Sequence, residues 1–171
     1  VLPYNELGVA AAAYNADEKE LCRLDEIYSA VKAPFEIRSG SEKVTRRFFK
    51  ICNNGRENFT GLYKSLTEQG ICKGHQCIAY GLYMRDNGIE LSEGLAVYGY
   101  SICSAIVTNC VKLVPLSQLA GQKILGESFE LISSASEKAL FTDINDIGIS
   151  GAGFDLRAMQ HERLYSRQYM S

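Results

Sequence analysis

Apolar residues recur along this chain at intervals of three and four, the spacing that lines one face of an α-helix. Val/Thr-rich alternating runs are missing and there are only three prolines, so the pattern favours helices over strands. Residues 9–13 are one valine and four alanines, strong helix formers inside a first helix over 3–14. Asn15 is the expected cap of a second helix, with Glu18 as its capping-box partner. Leu21, Leu24, Ile27, Tyr28 and Val31 then mark its apolar face until Pro34 breaks the pattern. A third helix is expected over 36–52 through Val44, Phe48, Ile51 and Cys52, although Ser39-Gly40-Ser41 weakens it. Asn53-Asn54-Gly55 reads as a turn. Two short helices follow over 57–68 and 75–86, stopped by Gly70 and by Asn87-Gly88.

Residues 95–114 are the most apolar stretch, holding Leu95, Val97, Tyr98, Ile102, Ala105, Ile106, Val111 and Val114. A run of about 20 apolar residues is long enough to span a bilayer. Ser101, Ser104, Thr108, Asn109 and Lys112 recur through this one, however, and a mid-membrane lysine is expensive. A helix apolar nearly all round predicts the core of a bundle. Its polar residues then require partners inside the protein or across an interface, which makes Lys112 the most informative charge in the chain. The plainer alternative is that Lys112 snorkels to solvent from the helix end.

Pro115-Leu116-Ser117 closes that helix and caps another over 118–139, with Leu125, Phe129 and Ile132 at helical spacing and Gln118 and Gln122 in its first turns. Residues 142–153 carry three glycines and read as a flexible connector. The last segment, 154–171, interleaves Arg157, Arg163 and Arg167 with Leu164, Tyr165, Tyr169 and Met170. Tyr, Arg and Met are enriched at protein–protein interfaces. A last amphipathic helix folded back on its own domain is the competing reading. The expected organisation is thus a single-domain, all-α bundle over 1–141, a connector over 142–153 and an interaction tail over 154–171.

Composition narrows the function classes. A chain of 171 residues is one domain or a small core with extensions, and 46% hydrophobic with 22% charged residues excludes wholesale disorder. A net charge of −2 supplies no global field for nucleic acid. Lys43, Arg46, Arg47 and Lys50 form a basic stripe, a solvated face or a docking surface for an acidic partner. The six cysteines, without a signal peptide, read as free, buried and reduced in a cytoplasmic protein. Cys72, His75 and Cys77 are the nearest approach to a metal site, suited to zinc, nickel or copper, with Cys110 and His161 the candidates to complete it. Their spacing matches no standard zinc motif. Cys110 and His161 would also be the parts of a nucleophile pair. No P-loop, GxGxxG, GxSxG or HExxH is present, so nothing recommends an enzyme and no cofactor is implied.

Two stretches carry a family resemblance. Residues 109–125 read Asn-Cys-Val-Lys-Leu-Val-Pro-Leu-Ser-Gln-Leu-Ala-Gly-Gln-Lys-Ile-Leu, and 155–169 contain Ala-Met-Gln-His-Glu-Arg-Leu-Tyr-Ser-Arg. Both resemble the urease accessory protein UreF family, with its Lys/Arg-hydrophobic-Ile/Val-Pro-Leu-Gly/Ser-Gln step and its His-Glu-Leu-Tyr-Ser-Arg ending. Gly74-His75, Tyr80-Gly81 and the Glu36, Arg38, Arg47 positions fit it as well. The family's N-terminal Pro-Ile-Gly-Gly/Ser segment has no counterpart, so the chain is expected to begin partway along the family's length. The resemblance implies an all-helical, dimeric, non-enzymatic protein that bridges UreH (also called UreD) and the GTPase UreG and enables nickel insertion into apo-urease. The positions it carries over as partner-binding are Lys112, Gln118, Gln122, His161, Tyr165, Ser166 and Arg167. Tyr169 joins them from the interface-like tail. Direct carriage of nickel or zinc by Cys72, His75 and Cys77 is the alternative.

Overall fold

The computed structural model describes residues 1–52, 58–149 and 151–165. The expected turn at Asn53-Asn54-Gly55 lies outside them, as do Ser166, Arg167 and Tyr169. Among the described residues the fold is all-α, with no strand. Nine α-helices follow one another: α1 (Glu6–Asn15), α2 (Glu18–Val31), α3 (Phe35–Ile51), α4 (Phe59–Glu68), α5 (Gln76–Asp86), α6 (Leu91–Leu113), α7 (Gln118–Glu127), α8 (Phe129–Ala139) and α9 (Ala152–His161). Short 3-10 turns occupy Leu2–Tyr4 and Ile144–Asp146.

The alanine-rich α1 is the axis of the bundle. Leu7, Val9, Ala10 and Ala13 are wholly buried, and α2, α5, α6 and α8 all pack on this one helix. Small side chains let α5 come so near that a Cβ added at Gly81 would lie 2.3 Å from the Ala10 carbonyl oxygen. That oxygen is backbone and cannot swing aside. Gly81→Ala is therefore expected to lower stability by about 1–3 kcal/mol, despite alanine's better helix propensity. Urea denaturation at constant m-value reads this out, and a stabilised variant would contradict the close approach.

Electrostatics tie α2 to α1. Lys32 Nζ lies 3.0 Å from Glu6 Oε1, and the Tyr28 hydroxyl donates to the same oxygen at 3.2 Å. Burial pushes the Glu6 carboxyl up, but the Lys32 ammonium and these hydrogen bonds outweigh it and hold the group below its ordinary value.

Three expectations are corrected. The cap of α2 is Asp17, not Asn15: Glu20 N–H donates to Asp17 Oδ1 at 2.8 Å and Asp17 N–H to Glu20 Oε2 at 3.0 Å. Asn15 is instead the last residue of α1. The single helix expected over 118–139 is two, because Ser128 ends α7 and starts α8, its hydroxyl bonded back to the Ile124 carbonyl at 2.8 Å. Helix α6 is not the core helix either. Its buried residues are Gly94, Leu95, Tyr98 and Gly99, all in its first half; beyond them Ile102 packs partly against the core and no residue is fully covered. By length and composition α6 could cross a membrane. Leu95 and Tyr98 lock its start inside the bundle, and Lys112 with the recurrent Ser, Thr and Asn residues makes a lipid environment costly for the rest.

Candidate protein interface

The segment around Cys72, His75 and Cys77 is a structural node. Asp25 on α2 is 2% exposed and accepts three hydrogen bonds: the Tyr63 hydroxyl at 2.5 Å, Lys73 N–H at 2.7 Å and Gly74 N–H at 3.1 Å. Gly74 adopts φ +88°, a conformation open to glycine, and this aims its amide at the carboxylate. The His75 N–H then donates to the Tyr63 oxygen at 2.7 Å. The imidazole is wholly buried, with Nε2 2.7 Å from Ser29 Oγ and its ring edge-on to Tyr28 at 5.0 Å. Burial lowers the His75 pKa to about 4; Asp25 opposes this, while Lys32 and Arg38 add to it. Burial likewise pushes the Cys77 thiol up to about 12. Cys72 lies against Cys22, Sγ to Sγ 3.9 Å. Among the described residues no three His, Cys, Asp or Glu side chains converge as a metal site. The cysteines are all free, but only Cys72 and Cys77 are buried; Cys110 is exposed, against the expectation that the thiols would be interior.

A different surface gathers the partner-binding candidates. Lys112 near the end of α6 and Gln118 and Gln122 on α7 line one cleft of about 310 Å³, with Val107, Thr108, Val111 and Gly121. Ser117 positions α7 by capping it, its hydroxyl accepting from Ala120 N–H at 3.1 Å. The helices α6, α7 and α8 also carry exposed apolar side chains. Leu119 is 81% exposed and Leu131 73%, with Ile106, Leu113, Val114, Ile124 and Phe129 also open to solvent. Phe129 stacks on Tyr100 at 5.9 Å, so even these aromatics are ordered by one another. Exposed apolar side chains together with polar groups are the composition of a protein interface.

His161 is placed elsewhere. It closes α9, and its Nδ1 lies 2.6 Å from Glu36 Oε2 on α3. The adjacent Glu162 accepts the Phe35 N–H at 2.9 Å, satisfying an amide at the start of α3. The tail helix therefore lies on its own domain through polar contacts while burying none of its residues. Phe154 and Leu156 remain exposed, and Tyr165 is fully so. Ahead of α9, Thr142 Oγ1 donates to Pro3 O at 3.0 Å, Gly148 N–H to Tyr4 O at 3.0 Å and Asn5 Nδ2 to Ile149 O at 2.9 Å. These stitches tie the 142–149 segment to the N-terminal turn. The exposure of Leu119, Phe129 and Leu131 was not legible in the sequence, because helical spacing shows which residues are apolar and not which are left uncovered.

The UreF family profile matches residues 2–128, three of the partner-binding candidates included. The chain belongs to the UreF family. It is 34% identical over 174 residues to the urease accessory protein UreF of Actinobacillus pleuropneumoniae serotype 5b, covering 98% of this chain and 76% of that relative. It is 33% identical over 174 residues to the protein of the same description from Haemophilus influenzae, covering 98% and 74%. With that of Paenarthrobacter aurescens it shares 31% over 152 residues, covering 86% and 67%. In this member of the UreF family the matched region contains the α6–α7 cleft, Lys112, Gln118 and Gln122 with it.

Proposed function

We propose that this chain is a non-enzymatic scaffold of urease maturation in the cytoplasm. It joins UreH/UreD to the GTPase UreG, regulates GTP hydrolysis by UreG, and so enables delivery of nickel, the cargo, into apo-urease. The observation that carries this reading is the α6–α7 cleft, where Lys112, Gln118 and Gln122 meet on two helices that also expose Leu113, Leu119 and Ile124. A homodimer would bury part of that surface, since apolar side chains such as Leu119 and Leu131 gain by leaving water. Lys112 supplies a point charge to the partner complex. In the tail, Arg167 supplies a planar multi-donor fork and Tyr165, Ser166 and Tyr169 its neighbouring contacts, beside His161.

Co-expression with the cognate UreH/UreD protein, followed by size-exclusion chromatography, tests the scaffold. The intact chain is expected to co-elute with it, and a chain ending at residue 153 is not. Lys112→Ala combined with Arg167→Ala is expected to weaken the complex at least about ten-fold, or roughly 1.4 kcal/mol. Unimpaired assembly and urease activation in that double variant would remove these residues from the interface. No complex from the intact chain would remove the scaffold reading.

A further inference from the structure

Cys22 and Cys72 are separated by 50 positions in sequence, yet their sulfurs lie 3.9 Å apart. Cys22 is half-buried on α2, and Cys72 is 3% exposed in the turn between α4 and α5. The node described above enforces this proximity. Asp25 stands three residues beyond Cys22, one helical step along the same face of α2. Its carboxylate holds the amides of Lys73 and Gly74, immediately after Cys72. Gly70, with φ +76°, turns the chain out of α4 to reach them. A disulfide requires sulfurs about 2.05 Å apart, so side-chain rotation and a small shift of the turn must close a gap of roughly 2 Å.

We propose that Cys22 and Cys72 are a redox-active dithiol, converted by a low-molecular-weight disulfide such as oxidised glutathione into an intramolecular bond that staples α2 to the α4–α5 turn. Cys22, the more accessible thiol, loses its proton and its thiolate attacks one sulfur of the glutathione disulfide. That S–S bond breaks, one glutathione leaves as a thiolate and takes up a proton, and a mixed disulfide remains on Cys22. The Cys72 thiolate then attacks Cys22 Sγ, forms the internal bond and expels the second glutathione, which is protonated in turn. Two protein thiols are oxidised by two electrons in total, and one glutathione disulfide is reduced to two thiols. Burial, with the Asp25 carboxylate next in importance, pushes the Cys72 thiol well up. The second step is therefore slow at neutral pH and speeds up about ten-fold per pH unit, following the thiolate fraction.

The test uses the full chain in glutathione buffers of increasing oxidised fraction at pH 8. Samples are quenched with N-ethylmaleimide under denaturing conditions and read by intact mass and peptide mapping. The expected product has two fewer alkylated thiols, no added glutathione and a peptide linking Cys22 to Cys72. Cys72→Ser is expected to stop at the mixed disulfide on Cys22, and Cys22→Ser to lose the internal bond. Oxidised wild type should melt several degrees above the reduced form, a difference absent from Cys22→Ser. Glutathione adducts alone, pairing through other cysteines, six thiols still alkylated at the most oxidising ratio, or identical melting of the two wild-type forms would each overturn the proposal.

Discussion

Asp25→Ala is expected to cost about 3–5 kcal/mol of folding stability, enough to abolish a marginal domain at physiological temperature. The carboxylate is buried and accepts from the Tyr63 hydroxyl and from the amides of Lys73 and Gly74. Removing it strands three donors that the fold has already withdrawn from bulk water. Hydrogen bonds to a charged group are worth more than neutral ones, and an orphaned buried donor forfeits its full desolvation cost. Tyr63→Phe probes the same node from its other side, since it leaves both Asp25 and the His75 N–H short of a partner. It is expected to cost less, about 1–3 kcal/mol. Urea denaturation of both variants supplies the comparison. A loss below about 1 kcal/mol for Asp25→Ala would show that the node is peripheral to stability.

The second large effect is on the pH dependence of stability. An imidazole in the unfolded chain titrates near 6.5, whereas burial holds His75 down at about 4 in the fold. Between those values the unfolded chain carries a proton that the folded chain does not, so acidification drives unfolding. The contribution of His75 is complete above pH 6.5 and disappears progressively as pH falls towards 4. Its full size is on the order of 3 kcal/mol. Glu6 acts in a lower window. Its carboxyl is held below the ordinary 4.5, so the stability it contributes is present above that value and lost as pH falls through its own lower one. The limb between pH 6.5 and 5 therefore separates the two. Thermal melts of wild type are expected to fall steeply across it and those of His75→Gln much less. Parallel profiles would mean that His75 takes up its proton without unfolding.

The buried imidazole also explains why Cys72, His75 and Cys77 are poor material for carrying a metal ion. His75 Nε2 is engaged with Ser29, its Nδ1 is sealed in the interior without a partner among the described residues, and burial raises the pKa of the interior Cys77 thiol. Burial disfavours the thiolate that would bind the ion, and the same burial builds the core. What resembled half of a ligand set is the point where α2, α4 and α5 are fastened together.

The sequence by itself determined the fold class and most helix positions. Periodic apolar residues at 21, 24, 28 and 31 can bury together only as a helix, and Pro34 and Asn87-Gly88 end helices through local backbone chemistry. It also carried the family, because the 109–125 motif is contiguous and independent of packing. Tertiary structure decided which apolar helix lies inside. Helix α1 won that place over the longer and equally apolar α6, because alanines permit close approach on every side while α6 carries Ser, Thr, Asn and Lys along its length. It decided that Lys112, Gln118 and Gln122 share one cleft while His161 sits with Glu36 on another helix. It decided, too, that the Cys72 sulfur lies 3.9 Å from that of Cys22, 50 positions away in the chain. Burial and long-range contact depend on what the rest of the chain covers, and no local spacing encodes that.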